Sequence, residues 1–147
     1  MTSHQEDLVL PGRTTDLALV IDYIEHACAR AGVDQAAWFD LQLATEEACA
    51  NVIEHAYQDT GGQFSVRFET RGPDVCITVH DHGRPFEPQK VRRADLSTPL
   101  GERPLGGLGL HLMQKLMDEV QFTFSATDGN TLVMVKRGVV AGRSQDG

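Results

Sequence analysis

Two apolar periods alternate along the chain, one helical and one extended. Leu8-Val9-Leu10, followed by Pro11-Gly12, predicts a short strand ending in a turn. Leu17, Val20, Ile21 and Ile24 then recur at helical spacing, continued by Ala27-Cys28, until Gly32 stops the helix. Thr14 or Thr15 can cap it, and Asp16 suits its positive end. Asp34 can cap a second helix, expected over about 36–57, with Leu41, Ala44, Ala48, Val52 and Ile53 among its apolar positions and Gly61-Gly62 as its stop. The period then becomes two. Residues 64–68 alternate apolar and polar like a half-buried strand, and 75–79 are apolar enough to be central. Gly72-Pro73-Asp74 between them predicts a hairpin turn.

From Gly83 to Leu105 the pattern breaks down. The segment carries Pro85, Pro88, Pro99 and Pro104 and the cations Arg84, Lys90, Arg92, Arg93 and Arg103, and it is too long and polar for an ordinary connector. A helix is expected over 108–117, then strands at 122–124 and 132–135 joined by a turn at Asp128-Gly129-Asn130. Strand pairs with helices between them predict a two-layer α/β sandwich built as one domain. Its core is expected over about 8–137, with a frayed tail from Gly138.

Composition narrows the function. With 147 residues the chain can bury a full core without staples. A net charge of −8 argues against a nucleic-acid surface, which needs a basic patch. The three cysteines, Cys28, Cys49 and Cys76, have neither metal-ligand nor redox spacing and read as reduced, buried thiols. There is no apolar signal region at the N-terminus and no run long enough to span a membrane, so a cytoplasmic protein is expected.

Three segments can carry chemistry. In the second helix, Glu47 and Asn51 stand four apart and share a face. An amide oxygen suits a hard cation such as Mg²⁺, and a carboxylate can orient or deprotonate a nucleophile, although polar helix faces are often merely wet. The second segment, Asp81-His82-Gly83-Arg84-Pro85-Phe86, follows the apolar strand. There a carboxylate can accept a hydrogen bond from an exocyclic amine, and a glycine lets a ring approach the backbone. Asp and Gly also make ordinary turns. The third, Gly106-Gly107-Leu108-Gly109-Leu110-His111, opens a helix where backbone N–H groups can meet phosphate. It is neither a Walker A loop nor a full dinucleotide fingerprint.

Together and in this order, the three segments resemble the GHKL (Bergerat-fold) ATPases, and within them the bacterial anti-sigma-factor serine kinases. The N box is similar to Glu47-Ala48-Cys49-Ala50-Asn51-Val52-Ile53-Glu54-His55-Ala56-Tyr57, the G1 box to Asp81-His82-Gly83-Arg84-Pro85-Phe86, and the G2 box to Gly107-Leu108-Gly109-Leu110. The resemblance covers about 8–137 and implies a mixed, mostly antiparallel sheet with helices on one face.

It further implies that Asn51 ligates Mg²⁺ on the ATP phosphates and that Glu47 is the general base for an attacking serine hydroxyl. Asp81 would bind the adenine amino group, and Gly83 would let the ring pack. Gly107 and Gly109 would contact phosphates, and Thr131 would lie near the adenine. Residues from about 87 to 105 would form a lid, with Lys90 and Arg103 as candidates for the γ-phosphate. The implied substrate is a serine on a small STAS-domain antagonist. A second implied role is sequestering a sigma factor, and such proteins often dimerise. Pro85 stands where many members have a second glycine, which weakens the analogy with chaperone-like branches. Glu46 lacks the spacing to Asn51 that Glu47 has. His80 and His82 flank Asp81 on one strand face, but no further metal ligand has supporting spacing. Two alternatives use the same pocket: a nucleotide-gated binding module without kinase activity, and a switch kinase that activates a phosphatase.

Overall fold

A computed structural model describes residues 2–4, 6–11, 17–53, 62–83 and 105–140. The elements are β1 (Thr2–His4), β2 (Leu8–Leu10), α1 (Leu17–Ala31), α2 (Gln35–Asn51), β3 (Phe64–Arg71), β4 (Asp74–Asp81), α3 (Leu105–Leu116), β5 (Glu119–Ser125) and β6 (Gly129–Lys136). The sheet runs β1-β3-β4-β6-β5, with β2 also on β3. Thr2–His4 pairs with residues 69–71 of β3 and Leu8–Leu10 with 64–66, so β1 and β2 are two pieces of one edge strand. In the gap between them Asp7 accepts two hydrogen bonds from Arg67 (2.9 and 3.1 Å), and the Tyr23 hydroxyl accepts one from the Phe68 N–H (3.2 Å). Every described pairing is antiparallel, where a mixed, mostly antiparallel sheet was expected.

Strand alternation builds the two layers. Val66, Val79, Leu132 and Phe122 form one row across the sheet, and Phe68, Ile77, Met134 and Val120 form the next. These rows face α1, α2 and α3, which pack on β3, β4 and β5 respectively. The opposite face carries Arg67, Thr78, Val133 and Gln121 in a single row. Helix α1 buries Val20, Ile24, Ala27 and Cys28, a stripe at helical spacing. It ends at Gly32, whose φ of 74° lets the Val33 N–H reach back to the Cys28 carbonyl over 3.0 Å. Helix α2 buries Ala37, Leu41, Ala44 and Ala48, mostly small residues that bring its axis close to α1 and the sheet.

Several expectations shift. β1 carries no apolar signal in the sequence, because Thr2-Ser3-His4 is polar and an edge strand needs backbone hydrogen bonds more than apolar side chains. Asp34 stands at the N-cap of α2 without a side-chain hydrogen bond; its N–H donates to the Val139 carbonyl over 2.8 Å. Helix α3 starts at Leu105 rather than at Leu108. The tail expected to fray from Gly138 is held through Val140. The Val139 and Val140 N–H groups both donate to the Pro73 carbonyl over 2.9 Å, and both side chains are buried. The Thr14, Thr15 and Asp16 cap and the end of the predicted second helix, 54–57, lie outside the described residues. No helix of the described residues is long and apolar enough to cross a membrane.

Candidate functional site

One pocket lies between the end of α2 and the ends of three strands. Its apolar wall comes from Ala48 and Val52 of the α2 segment, Val79 of β4, Phe122 of β5 and Leu132 of β6. Asn51, Asp81 and Asn130 supply the polar groups. The rows of the sheet explain the layout. Val79, Leu132 and Phe122 are cross-strand partners, and the next inward row is Asp81, Asn130 and Phe124. Val79 and Asp81 of β4, Leu132 and Asn130 of β6 and Phe122 of β5 therefore make a greasy slot with a polar end, a lining suited to a flat heteroaromatic ring.

Asp81 closes that end and is only 4% exposed. A carboxylate this buried needs donors, and among the described residues it has two. The Gly83 N–H donates to Oδ1 over 2.8 Å in a local turn, and Asn130 Nδ2 donates to the same oxygen over 2.8 Å. Among the described residues both bonds fall on Oδ1, which leaves Oδ2 as an acceptor for a ligand N–H. Asn130 Nδ2 also reaches the Gly83 carbonyl at 3.4 Å.

Asn51 lines the same slot. It is the last residue of α2, after which the chain widens into a π turn at Val52-Ile53, a distortion often found at functional sites. Its side chain is buried, and among the described residues neither Oδ1 nor Nδ2 has a hydrogen-bond partner. Leaving such a group unpaired costs about 1–3 kcal/mol. A hard cation or a ligand's polar atom would relieve that cost at Oδ1, so this residue fits the Mg²⁺ role expected of it. Glu47, one turn earlier, is half-buried and is not among the pocket-lining residues.

The glycines divide. Gly107 and Gly109 both lie inside α3, because the helix begins at Leu105. The first four N–H groups of a helix lack intrahelical acceptors. Gly107 falls in that first turn and Gly109 beyond it, where the helical ladder uses its N–H. Thr131 borders the pocket, but its cross-strand neighbours are His80 and Thr123, so alternation turns its side chain to the opposite face. The residue that meets Asp81 is Asn130, which the sequence pattern marks only as part of a turn. Lys90, Arg103 and the whole 87–104 stretch lie outside the described residues. On the outer face, His80 Nε2 is hydrogen-bonded to the Asp128 carbonyl oxygen, and the His80 and His82 rings meet edge to face with centroids 4.7 Å apart.

A buried carboxylate acceptor and a carboxamide with no partner among the described residues thus line one slot, an arrangement that suits a nucleotide. The profile of the Histidine kinase-like ATPase domain matches residues 10–136. The chain belongs to this family. It is similar to the "Serine-protein kinase RsbW" of Bacillus thuringiensis subsp. konkukian (strain 97-27), 34% identical over 101 residues, which are 66% of this chain and 62% of that protein. It is also similar to RsbW of Bacillus cereus (strain AH187), 29% identical over 134 residues, 88% of this chain and 82% of that one. The chain thus spans about 62% of the length of the first of these relatives. A crystal structure of the RsbU and RsbW domains of Rv1364c from Mycobacterium tuberculosis shares the fold, with a TM-score of 0.62 at 20% identity, over 90% of this chain and 32% of that one. The GHKL resemblance read from the three boxes is borne out at the level of family and fold.

Proposed function

We propose that this histidine kinase-like ATPase domain binds ATP with Mg²⁺ and transfers the γ-phosphoryl group to a serine of a small STAS-domain antagonist. Its second role would be to hold a sigma factor, in the cytoplasm, as in a partner-switching circuit. The observation that carries the reading is the Asn51 carboxamide, buried without a partner among the described residues in the same slot that Asp81 lines. The RsbW relatives, which are named serine-protein kinases, support the choice of a serine acceptor. Three buried free thiols fit a reducing compartment.

Phosphoryl transfer needs positioning and charge neutralisation more than covalent help. Asp81 Oδ2 would accept the adenine amine, and the apolar wall would hold the ring. Asn51 Oδ1 would hold Mg²⁺, which neutralises phosphate charge when bound. The Gly107 N–H, at the positive end of α3, would face a phosphate oxygen. A contact from Gly109 would require the first turn of α3 to unwind. Glu47 would take the proton from the incoming serine hydroxyl. Its place outside the pocket lining suits a group that meets the protein substrate rather than the nucleotide.

The test is a pull-down from lysate with Mg²⁺ and ATP, read by mass spectrometry for bound and newly phosphorylated proteins. A small protein gaining one phosphoserine, with a sigma factor among the bound species, is the expected result. Glu47→Ala should lower transfer by about 10²–10⁴-fold with ATP affinity largely intact. ATP-dependent partners without phosphoserine would instead favour a nucleotide-gated binding module.

A further inference from the structure

Adjacent residues of β4 grip the β5–β6 turn from opposite faces of the sheet. On the outer face His80 is hydrogen-bonded to the Asp128 carbonyl. On the inner face Asp81 Oδ1 accepts from Asn130 Nδ2 over 2.8 Å. Between them Gly129, with φ 86°, lies against the Asp81 carbonyl. The same Asn130 amide reaches the Gly83 carbonyl at 3.4 Å, while the Gly83 N–H donates to Asp81 Oδ1 over 2.8 Å. One carboxamide therefore touches both the carboxylate and the loop that leaves it.

We infer that Asn130 is a positioning residue that sets which purine the pocket accepts, by locking the Asp81 carboxylate so that Oδ1 is taken and Oδ2 receives the ligand's amino group. The inference rests on the nucleotide-site reading above. The terminal torsion of an aspartate is broad and roughly two-fold, so an unheld carboxylate turns easily. Two donors on one oxygen remove that freedom. Both partners are buried, Asp81 at 4% and Asn130 at 8% exposure, and hydrogen bonds in such surroundings are strong and costly to mispair. A purine with an amino group at carbon 6 donates to a fixed Oδ2. One without it leaves that buried acceptor unpaired, which is how polar sites reject analogues. Without the Asn130 amide only the Gly83 N–H would hold the carboxylate, and discrimination would be lost before the apolar slot is.

The experiment is calorimetry on the whole chain with Mg²⁺, comparing ATP with a purine nucleoside triphosphate that lacks the 6-amino group. Wild type should favour ATP by at least about tenfold. In Asn130→Ala, ATP binding should weaken by about tenfold while the analogue changes by less than about twofold, so the preference collapses. Equal weakening of both nucleotides would make Asn130 merely structural and overturn the inference. Asn130→Asp, of nearly the same shape, gives a second readout. At low pH one proton shared with Asp81 restores the donor, and at higher pH two carboxylates repel. Its ATP affinity should fall as pH rises from about 5 to about 8, relative to wild type. His80, His82 and Asp128, the other titratable groups at this turn, are common to both proteins, so the wild-type profile accounts for them. A flat difference profile would overturn the inference. Wild type that binds neither nucleotide would overturn the nucleotide-site reading itself, and this inference with it.

Discussion

A Cβ built on Gly129 would collide with the Asp81 carbonyl oxygen and would stand 3.0 Å from His82 Nδ1. The turn between β5 and β6 is thus pressed onto the end of β4, and glycine is required twice over. Its φ of 86° disfavours any side chain, and the backbone oxygen leaves no room for one. Gly129→Ala should therefore destabilise the fold by about 2 kcal/mol or more, combining positive-φ strain with a forced backbone shift. Urea denaturation measures it. A loss below about 0.5 kcal/mol would mean that the turn can move away from Asp81 freely.

Asn51 offers the opposite case, a residue whose removal should leave the empty protein no weaker. Asn51→Leu deletes two buried polar atoms that have no partner among the described residues and fills their place with apolar ones. Unfolding free energy without nucleotide is expected to stay level or rise by about 1 kcal/mol. Mg²⁺-dependent ATP binding should disappear in the same variant. Calorimetry with and without Mg²⁺, beside a denaturation curve, reads both. A variant that still binds ATP with wild-type Mg²⁺ dependence would rule Asn51 out as the metal ligand.

Alkali should weaken the fold well before it breaks covalent bonds. Burial pushes the Tyr23 hydroxyl from 10.0 up to about 12, partly offset by the Phe68 N–H that it accepts. Burial likewise pushes the Cys28 thiol from 9.0 to about 12 and raises Cys49. Folded values above unfolded ones mean that the folded state holds protons the unfolded state has released. That stability is complete below about pH 9 and is lost as pH climbs toward about 12. Denaturation midpoints measured from pH 7 upward should fall across this window. Tyr23→Phe strips the Phe68 N–H of its acceptor and should cost about 1 kcal/mol at neutral pH.

The strap after β6 should matter more than its length implies. Val139 and Val140 are 9% and 3% exposed, and their N–H groups both use the Pro73 carbonyl. A chain ending at Arg137 loses that burial together with the bond from the Asp34 N–H to the Val139 carbonyl. It should be less stable by about 2–4 kcal/mol than one ending at Val140, as read by thermal unfolding. Equal melting temperatures would mean that the strap adds nothing.

Much of the architecture was legible because its signals are local. Gly32, Gly72 and Gly129 carry positive φ where turns or a helix stop were expected. The hairpin of β3 and β4 follows from alternation in 64–68 and the apolar run 75–79. Misses came where local pattern is silent. Thr2-Ser3-His4 has no apolar signal, yet it completes an edge through backbone pairing with β3. Val139 and Val140 are two valines after a glycine, and only their meeting with Pro73, Val33 and Asp34 ties them down.

The candidate site divides along the same line. Residue types and spacing determined by themselves that a carboxylate would end a central strand and that a carboxamide would follow a glutamate by one helical turn. They also determined that a turn glycine would stand between the last two strands, since strand ends, helix faces and turns depend on neighbours in the chain. What they left open was which residue of β6 faces Asp81. Leu132, Val133, Met134 and Val135 are apolar on both faces, so period two cannot tell inward from outward there. The register of β6 on β4 decides it, setting Asn130 against Asp81 and Thr131 against His80. Register depends on pairing between segments some 50 residues apart in the chain, and only the folded sheet, with one face buried under the helices, specifies it.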